Sequence, residues 1–451
     1  MMAQSSRFLL GFLAALAALL TVGFWARDQL PALFQASSSA RLAQGLLSLG
    51  RLTALMAVCG LLLQLMLIGR LKWVEPVFGH NRLTRVHHSN ALLIVTLLIT
   101  HPILVTAGHA LQDKVSLWVQ AREFLRDWDD VPLALAGWLT LMTAATSSVA
   151  IVRRRLRYET WHATHLMLYA ALGLALLHQF RVGADLTANR LFAIWWGGLY
   201  IFAGANLFLF RCGGPLRNYA RWRFRVDPLE RETADVASVY ISGQDLSRFP
   251  IRAGQFMIVR FLAKGFWREG HPFSLSCRPN GRWLRLSIKN VGDFTARIPL
   301  LPPGTRVVIG GPYGVFTARQ CQLQRVLMIA AGIGITPIRS LAEELLKSGH
   351  VITLLYGNRT RDGIVFYDEW EALQTTTGAL HVVHVLSHDP TWPGETGRID
   401  AEKIQRLAPD ARDREIYLCG PPPMMTTTLA ALHALGVPRG QIHYERFSLG
   451  T

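Results

Sequence analysis

Six long apolar stretches crowd the first 211 residues, and they constrain what this chain can fold into more than any other feature. They cover residues 8–25, 46–68, 90–106, 132–152, 165–180 and 191–210. In hydrocarbon every backbone N–H and C=O must find a partner within the chain, so such stretches predict helices. Crossing about 30 Å of hydrocarbon takes about 20 residues. The third and fifth stretches reach that length only with their flanking His and polar residues. The first is long and no clear small-residue cleavage site follows it, which predicts an uncleaved helix rather than a signal peptide.

Charge then orients the spans. The chain carries 47 Lys and Arg against 30 Asp and Glu, a net charge of +17. Taking alternate connections, one set holds fourteen basic residues (Arg7; Arg70, Lys72, Arg82, Arg85; Arg153, Arg154, Arg155, Arg157; Arg211, Arg217, Arg221, Arg223, Arg225). The other holds seven: Arg27, Arg41, Lys114, Arg122, Arg126, Arg181 and Arg190. The richer set is expected inside. Six spans then put both termini and everything after Phe210 in the cytoplasm. The basic residues track the bilayer, so nucleic acid is not needed as a partner. Only 17% of residues are charged, which excludes disorder. Five scattered cysteines (Cys59, Cys212, Cys277, Cys321, Cys419) without C-x-x-C exclude a disulfide scaffold, an iron–sulfur run and a Cys-rich zinc site.

The texture changes near residue 217. Short β-type runs at 236–241, 255–261, 284–289 and 306–309 predict a small antiparallel barrel. After residue 322, apolar strands alternate with helical patterns, which predicts a parallel α/β sheet. The expected architecture is therefore membrane α, then β, then α/β, in domains 1–216, 217–321 and 322–451.

Ionisable residues at membrane depth are functional candidates. The third stretch with its N-terminal flank holds His87, His88 and His101, and the fifth with its flank holds His162, His165 and His178. His87 to His101 is 14 residues and His165 to His178 is 13. Both spacings give about 20 Å along a helix, too far for one shared metal ion and right for two sites at different depths. Facing imidazoles at each depth can fill both axial positions of a haem, as inner pair His87–His165 and outer pair His101–His178. Fourteen residues return to within about 40° of the same face, but thirteen leave His178 about 140° from His165. A π-bulge or local distortion, near Gly173, is therefore expected between them. Arg51 lies at the outer end of the second stretch, either snorkelling or meeting an anion. Near it in topology, the connection 108–131, with Trp118, Trp128, Asp127, Asp129 and Asp130, reads as a docking surface or lid.

Two further groups carry cofactor chemistry. His271-Pro272-Phe273-Ser274 precedes Lys289, Gly292 and Thr295, and then Gly311-Pro-Tyr-Gly-Val-Phe316. An aromatic to stack (Phe273), a hydroxyl (Ser274) and a phosphate cradle (Lys289, Gly292, Thr295) suit a flavin. A predicted strand then runs into Gly332-Ile-Gly334-Ile-Thr336-Pro337 and a helix, a turn whose N–H groups can approach a pyrophosphate. Arg359 follows the next strand, placed to meet an adenosine ribose or its 2′-phosphate. Cys419-Gly420-Pro421 ends another strand at the same sheet edge, where α/β sheets bind ligands. The chain closes with Glu445-Arg-Phe447-Ser-Leu-Gly-Thr451.

Taken together, these residues resemble the NADPH oxidase/ferric reductase family in its bacterial single-chain form. The resemblance implies a six-helix transmembrane haem bundle, a flavin-binding barrel and a nicotinamide-binding α/β domain. It implies FAD, two b-type haems and NADPH (or NADH) as cofactors. It also implies that Phe273 and Ser274 contact the isoalloxazine, that Thr336 and Cys419 flank the nicotinamide, and that Phe447 is an aromatic gate. Arg51 matches the family's cation near the outer haem. No EF-hand loop is present, and Val105 stands where the family has a second polar residue one turn past the outer haem ligand. The implied activity is electron transfer from cytosolic NAD(P)H to an acceptor outside, O2 giving superoxide. The alternatives are a ferric chelate or a periplasmic partner protein as acceptor.

Overall fold

The computed structural model describes residues 2–153, 155–156 and 158–446 and divides into two compact units. The first runs to Phe78 and resumes over Arg82–Phe208; the second begins at Leu209 and takes in Gly79–Asn81.

The first unit is helical: α1 (Met2–Gln35), α2 (Arg41–Ile68), α3 (His80–Asp113), α4 (Leu117–Asp127), α5 (Val131–Ser147), α6 (Tyr158–Arg181), α7 (Ala184–Ala188) and α8 (Arg190–Phe208). Among the described residues, five segments are long and apolar enough to cross a membrane: Leu9–Gln35, Arg41–Ile68, Arg82–Asp113, Thr160–Arg181 and Arg190–Trp222. The expectation of six is corrected at the fourth apolar stretch. That stretch forms α5, whose 17 residues span about 26 Å. The Ser147 and Ser148 hydroxyls both turn back to the Ala144 carbonyl, at 2.7 and 3.0 Å, and compete with the helical ladder where it ends. The third and fifth stretches lengthen instead, because their polar flanks join the helices. Gly137 brings α5 against α6: a Cβ there would stand 2.9 Å from the Ala171 carbonyl oxygen.

Two other expectations are corrected, the π-bulge and the haem bundle. Helix α6 is α-helical throughout, with no π segment between His165 and His178; the π turn lies at Leu209–Gly213. The 108–131 connection contains α4, started by Ser116, whose Oγ accepts from the Val119 N–H at 3.3 Å. Among the described residues no group of three or more His, Cys, Asp or Glu side chains could hold a metal ion. The expected six-helix haem bundle is corrected to a helical unit with five candidate spans, in which no such cluster is seen among the described residues.

In the second unit, helix α9 (Gly214–Trp222) precedes thirteen strands. The first seven are β1 (Arg225–Val226), β2 (Glu230–Arg231), β3 (Val236–Ser242), β4 (Phe256–Phe261), β5 (His271–Ser274), β6 (Leu284–Lys289) and β7 (Val307–Tyr313). They form two separate antiparallel sheets, β1-β3-β2 with β6 on β3, and β5-β4-β7. A closed barrel was expected and is not seen. Strands β1 and β2 are two residues long, and Pro272 removes a ladder donor from the four-residue β5.

Strands β8 (Arg325–Ala331), β9 (Val351–Asn358), β10 (Leu380–Leu386), β11 (Glu395–Thr396), β12 (Glu415–Gly420) and β13 (Ile442–Arg446) form one parallel sheet in the order β11-β10-β9-β8-β12-β13. Side chains alternate across it as the pleat requires. Val326, Met328 and Ala330 of β8 pack with Ile338, Leu341 and Leu345 of α10 (Ile335–Lys347). Leu327 and Ile329 pack on the other face with Ile404 of α12 (Ala401–Leu407) and with Met425 and Leu432 of α13 (Pro422–Ala434).

A buried ion network ties β6 to this sheet's helical layer. Arg285 Nη2 bonds Glu232 at 2.6 Å and Glu369 of α11 (Tyr367–Thr377) at 2.7 Å. Its guanidinium also lies 4.5 Å from the Phe366 ring centre. Glu369 in turn accepts from Arg339 Nη2 at 2.7 Å. Burial alone would weaken the Arg285 cation, but Glu369 and Glu232 outweigh it and hold the proton. Removing one member of a buried pair strands the others, at about 3–5 kcal/mol. Arg285→Met should therefore lower unfolding free energy by about 3 kcal/mol, read by urea titration against the wild type.

Candidate functional site

The helical unit brings the predicted imidazoles into pairs. His87 of α3 and His165 of α6 have ring centroids 6.3 Å apart. With metal–nitrogen bonds of about 2 Å, two imidazoles gripping one ion from opposite sides stand about 6 Å apart centre to centre.

The outer turns of these rings are set by the fold. His101 Nδ1 lies 2.9 Å from the Gly50 carbonyl oxygen. A carbonyl only accepts, so Nδ1 carries the proton and Nε2 keeps its lone pair. Gly50 permits this approach: a Cβ there would meet Val105 Cγ2 at 2.8 Å. Pro102, next along α3, has no N–H, which frees the Leu98 carbonyl. Trp138 of α5 donates to that carbonyl at 2.8 Å. His165 Nδ1 lies 3.3 Å from Ser148 Oγ, which also accepts from Trp161 Nε1 at 3.1 Å. The Nδ1 atoms of His87 and His178 are buried with no hydrogen-bond partner.

Arg51 is engaged by protein. Its Nη1 donates to Gln29 Oε1 at 3.2 Å and lies 4.0 Å from Asp185 Oδ1. Gln29 also bonds Asp185 directly and accepts from Ser48 Oγ at 2.9 Å. Burial pushes the Asp185 carboxyl above its ordinary value, against the pull of Arg51.

In the second unit, His271, Pro272, Phe273 and Ser274 lie on β5, with Phe273 opposite Met257 and Ser274 opposite Phe256 of β4. The His271 ring is 4.0 Å from that of Phe294, which brings β5 beside the Gly292–Thr295 turn. The Thr295 hydroxyl already accepts from the Val291 and Gly292 N–H groups, at 2.9 and 3.1 Å. Lys289 is drawn to Asp235, at 3.1 Å. Thus His271, Phe273 and Gly292 converge, while Lys289 and the Gly292 N–H are engaged within the protein.

The C-terminal edge of the parallel sheet collects the remaining residues. Gly332, at φ +51°, opens a single 3-10 turn ending at Gly334, and α10 follows. A Cβ on Gly334 would stand 2.5 Å from the Cys419 carbonyl oxygen, so only glycine lets this turn lie against the end of β12. Thr336 and Pro337 sit in the first turn of α10, with Thr336 Oγ1 donating to Ile333 O at 3.0 Å. Gly420 and Pro421 lead into α13. Burial, reinforced by Glu445, pushes the Cys419 thiol well above its ordinary value, so it packs as a neutral group rather than a nucleophile. Arg359 is exposed just past β9. Phe447 lies outside the described residues.

Sequence reasoning missed Tyr356 and Asn358. The Tyr356 hydroxyl donates to Gly332 O and accepts from Val365 N–H, both at 3.3 Å, and so braces the glycine turn. Asn358 Nδ2 is buried without a partner at the same edge. The signal was its position at a strand's carboxyl end, one residue before Arg359.

Comparisons with known proteins divide at the same place. Residues 53–176 match the ferric reductase like transmembrane component family, and residues 328–429 match the oxidoreductase NAD-binding domain family. His87, His101 and His165 fall within the first match and His178 just beyond it. The reductase component of propane 2-monooxygenase from Rhodococcus jostii (strain RHA1) is 28% identical over 238 residues, covering 50% of this chain and 63% of that protein. A flavohemoprotein from Chromobacterium violaceum is 30% identical over 251 residues, covering 51% and 61%. The chain thus spans less than two thirds of either relative. A solved structure, the ferredoxin reductase in carbazole 1,9a-dioxygenase, aligns with a TM-score of 0.44 and 26% identity, over 50% of this chain and 69% of that one. In one chain, a match to a ferric reductase like transmembrane component thus precedes a match to an oxidoreductase NAD-binding domain.

Gly334→Ala tests the sheet-edge site. The added methyl must push the turn off Cys419, and a shift of about 1 Å at such a site costs about 100-fold. The expected result is a fall of that order in kcat/KM for NAD(P)H, with the flavin content of the purified protein unchanged.

Proposed function

We propose that this protein is a transmembrane oxidoreductase of the bacterial plasma membrane, with both termini and the reductase region in the cytoplasm. It takes electrons from cytosolic NAD(P)H and reduces an acceptor on the outer side. The acceptor we favour is O2: one NADPH and two O2 give NADP+, one proton and two superoxide ions. In this reading the chain works in three parts, 1–216, 217–321 and 322–451.

The observation that carries the reading is the His87–His165 pair, with rings spaced for one axially held iron between two long apolar helices. His87 and His165 would hold an inner b-type haem, and His101 and His178 an outer one. Bound there, a flavin would supply the conversion of hydride to single electrons, and haem would supply one-electron transfer.

The protein's own groups do the rest. Gly50 O holds the proton of His101 on Nδ1, so Nε2 faces the metal position. Phe273 offers a stacking face and Ser274 a hydroxyl to the isoalloxazine. The Gly332–Pro337 turn and the Gly420-Pro421 step bind the dinucleotide from two sides, with Thr336 and Cys419 beside the nicotinamide. Buried and neutral, Cys419 excludes water there without competing for hydride. Arg51, partly neutralised by Asp185, offers one guanidinium face to an anionic product or a propionate. The family of the membrane match favours a second reading, a ferric chelate as acceptor.

Reduced-minus-oxidised spectra with haem quantitation test the assignment. The wild type should hold two haems per chain; His101→Ala and His165→Ala should each lose at least one, with NADPH-driven acceptor reduction falling about 10–100-fold. One haem or none in the wild type overturns it. Dye reduction suppressed by superoxide dismutase identifies O2 as acceptor; undiminished ferric-chelate reduction identifies iron. Separately, Arg359→Ala should raise KM for NADPH about 10-fold and leave KM for NADH unchanged, since a hydrogen bond to a charged group is worth about 1.5–3 kcal/mol.

A further inference from the structure

The second unit has two adjoining cavities, neither lined by any residue assigned above. One, of about 360 Å³, is lined by Arg252, Arg278, Arg319, Thr317 and Glu344 among others. The other, of about 400 Å³, shares Arg278 and adds Lys347, Leu346 and Leu373. Their volumes fall within the range of small-molecule sites, about 300–1,000 Å³. Both lie against the last turns of α10. Glu344 is eight residues beyond Thr336, about 12 Å along the helix. That end of α10 is opposite the sheet edge where the dinucleotide residues gather.

The charges in the smaller cavity are not balanced from within. Arg278 lies 3.7 Å from Glu344. Among the described residues Arg252 and Arg319, which both line this cavity, form no ion pair. Burial, and then the Arg319 charge, lower Arg252 from its ordinary value. Holding like charges together destabilises the folded chain, and an anion between them would reverse the sign. Guanidinium forks match phosphate oxygens two at a time, which a carboxylate-free pair of arginines is suited to do.

We propose that this cavity binds a small phosphate-bearing anion, with Arg252 and Arg319 as its ligands and Arg278 completing the cationic wall. The ligand is either a free phosphate compound or the phosphate end of a nucleotide whose base lies along Leu346 and Leu373.

The full-length holoprotein in nanodiscs, with its dinucleotide site saturated by NADP+, is titrated calorimetrically with inorganic pyrophosphate and, separately, with ADP. The wild type should bind, and Arg252→Gln/Arg319→Gln should bind at least tenfold more weakly, with KM for NADPH and flavin content unchanged. ADP binding more tightly than pyrophosphate identifies a nucleotide, and equal affinity identifies phosphate alone. Without ligand the double variant should melt at or above the wild-type temperature, because the repulsion is gone. Arg319→Gln alone, which leaves Arg252 in place, should show an intermediate affinity. No binding by the wild type, undiminished binding by the double variant, or a lower melting temperature of the unliganded double variant each overturns the proposal.

Discussion

A polar group in hydrocarbon must be answered by another polar group of the same chain, and the helical unit is arranged around that requirement. Pro102 withholds an N–H, so the Leu98 carbonyl is left open, and Trp138 reaches across from α5 to close it. His101 brings an imidazole to the same turn, and Gly50 supplies the carbonyl that takes its proton. The second nitrogen of His101 then keeps its lone pair. Arg51, Gln29, Ser48 and Asp185 form a polar knot near the end of α2 on the same logic. Each polar residue at depth is bound to its neighbour or is a nitrogen aimed at something else.

The second unit solves a different problem, that of holding backbone turns in close register. At Gly334 the helix-opening turn and the end of β12 approach so nearly that no side chain fits between them. Tyr356 braces the turn from the neighbouring strand. Arg285 and Glu369 lock the small antiparallel sheet carrying β6 to the helices over the parallel sheet. These contacts set the distance between the flavin-side and nicotinamide-side residues within one compact unit.

Much of this was legible in advance because periodicity is a local signal. The apolar runs of β8, β9, β10 and β12 and the helices between them lie where the residue pattern puts them, and β6 matches residue for residue. Hydropathy alone could not tell that α5 stops at Ser147, because two serine hydroxyls bonding back to Ala144 end it. Short strands with a proline between them looked like a barrel, but closure depends on edges pairing over long sequence separation. Lys289 read as a phosphate ligand by its neighbourhood in sequence; Asp235, 54 residues earlier, takes it instead.

What the residues alone determined was the layout: an apolar helical region, although six spans were expected where five are found among the described residues, then a β region and a parallel α/β sheet. Those follow from hydrophobic period, charge in the connections and residue spacing, all of which act over one or two turns of chain. Only tertiary structure decided which nitrogen of His101 is free, which carbonyl Trp138 satisfies, why position 334 must lack a side chain, and which arginines face a cavity without a counter-charge. Each depends on atoms distant in sequence meeting within hydrogen-bond or van der Waals range, and one-dimensional order does not encode such meetings until the chain has packed.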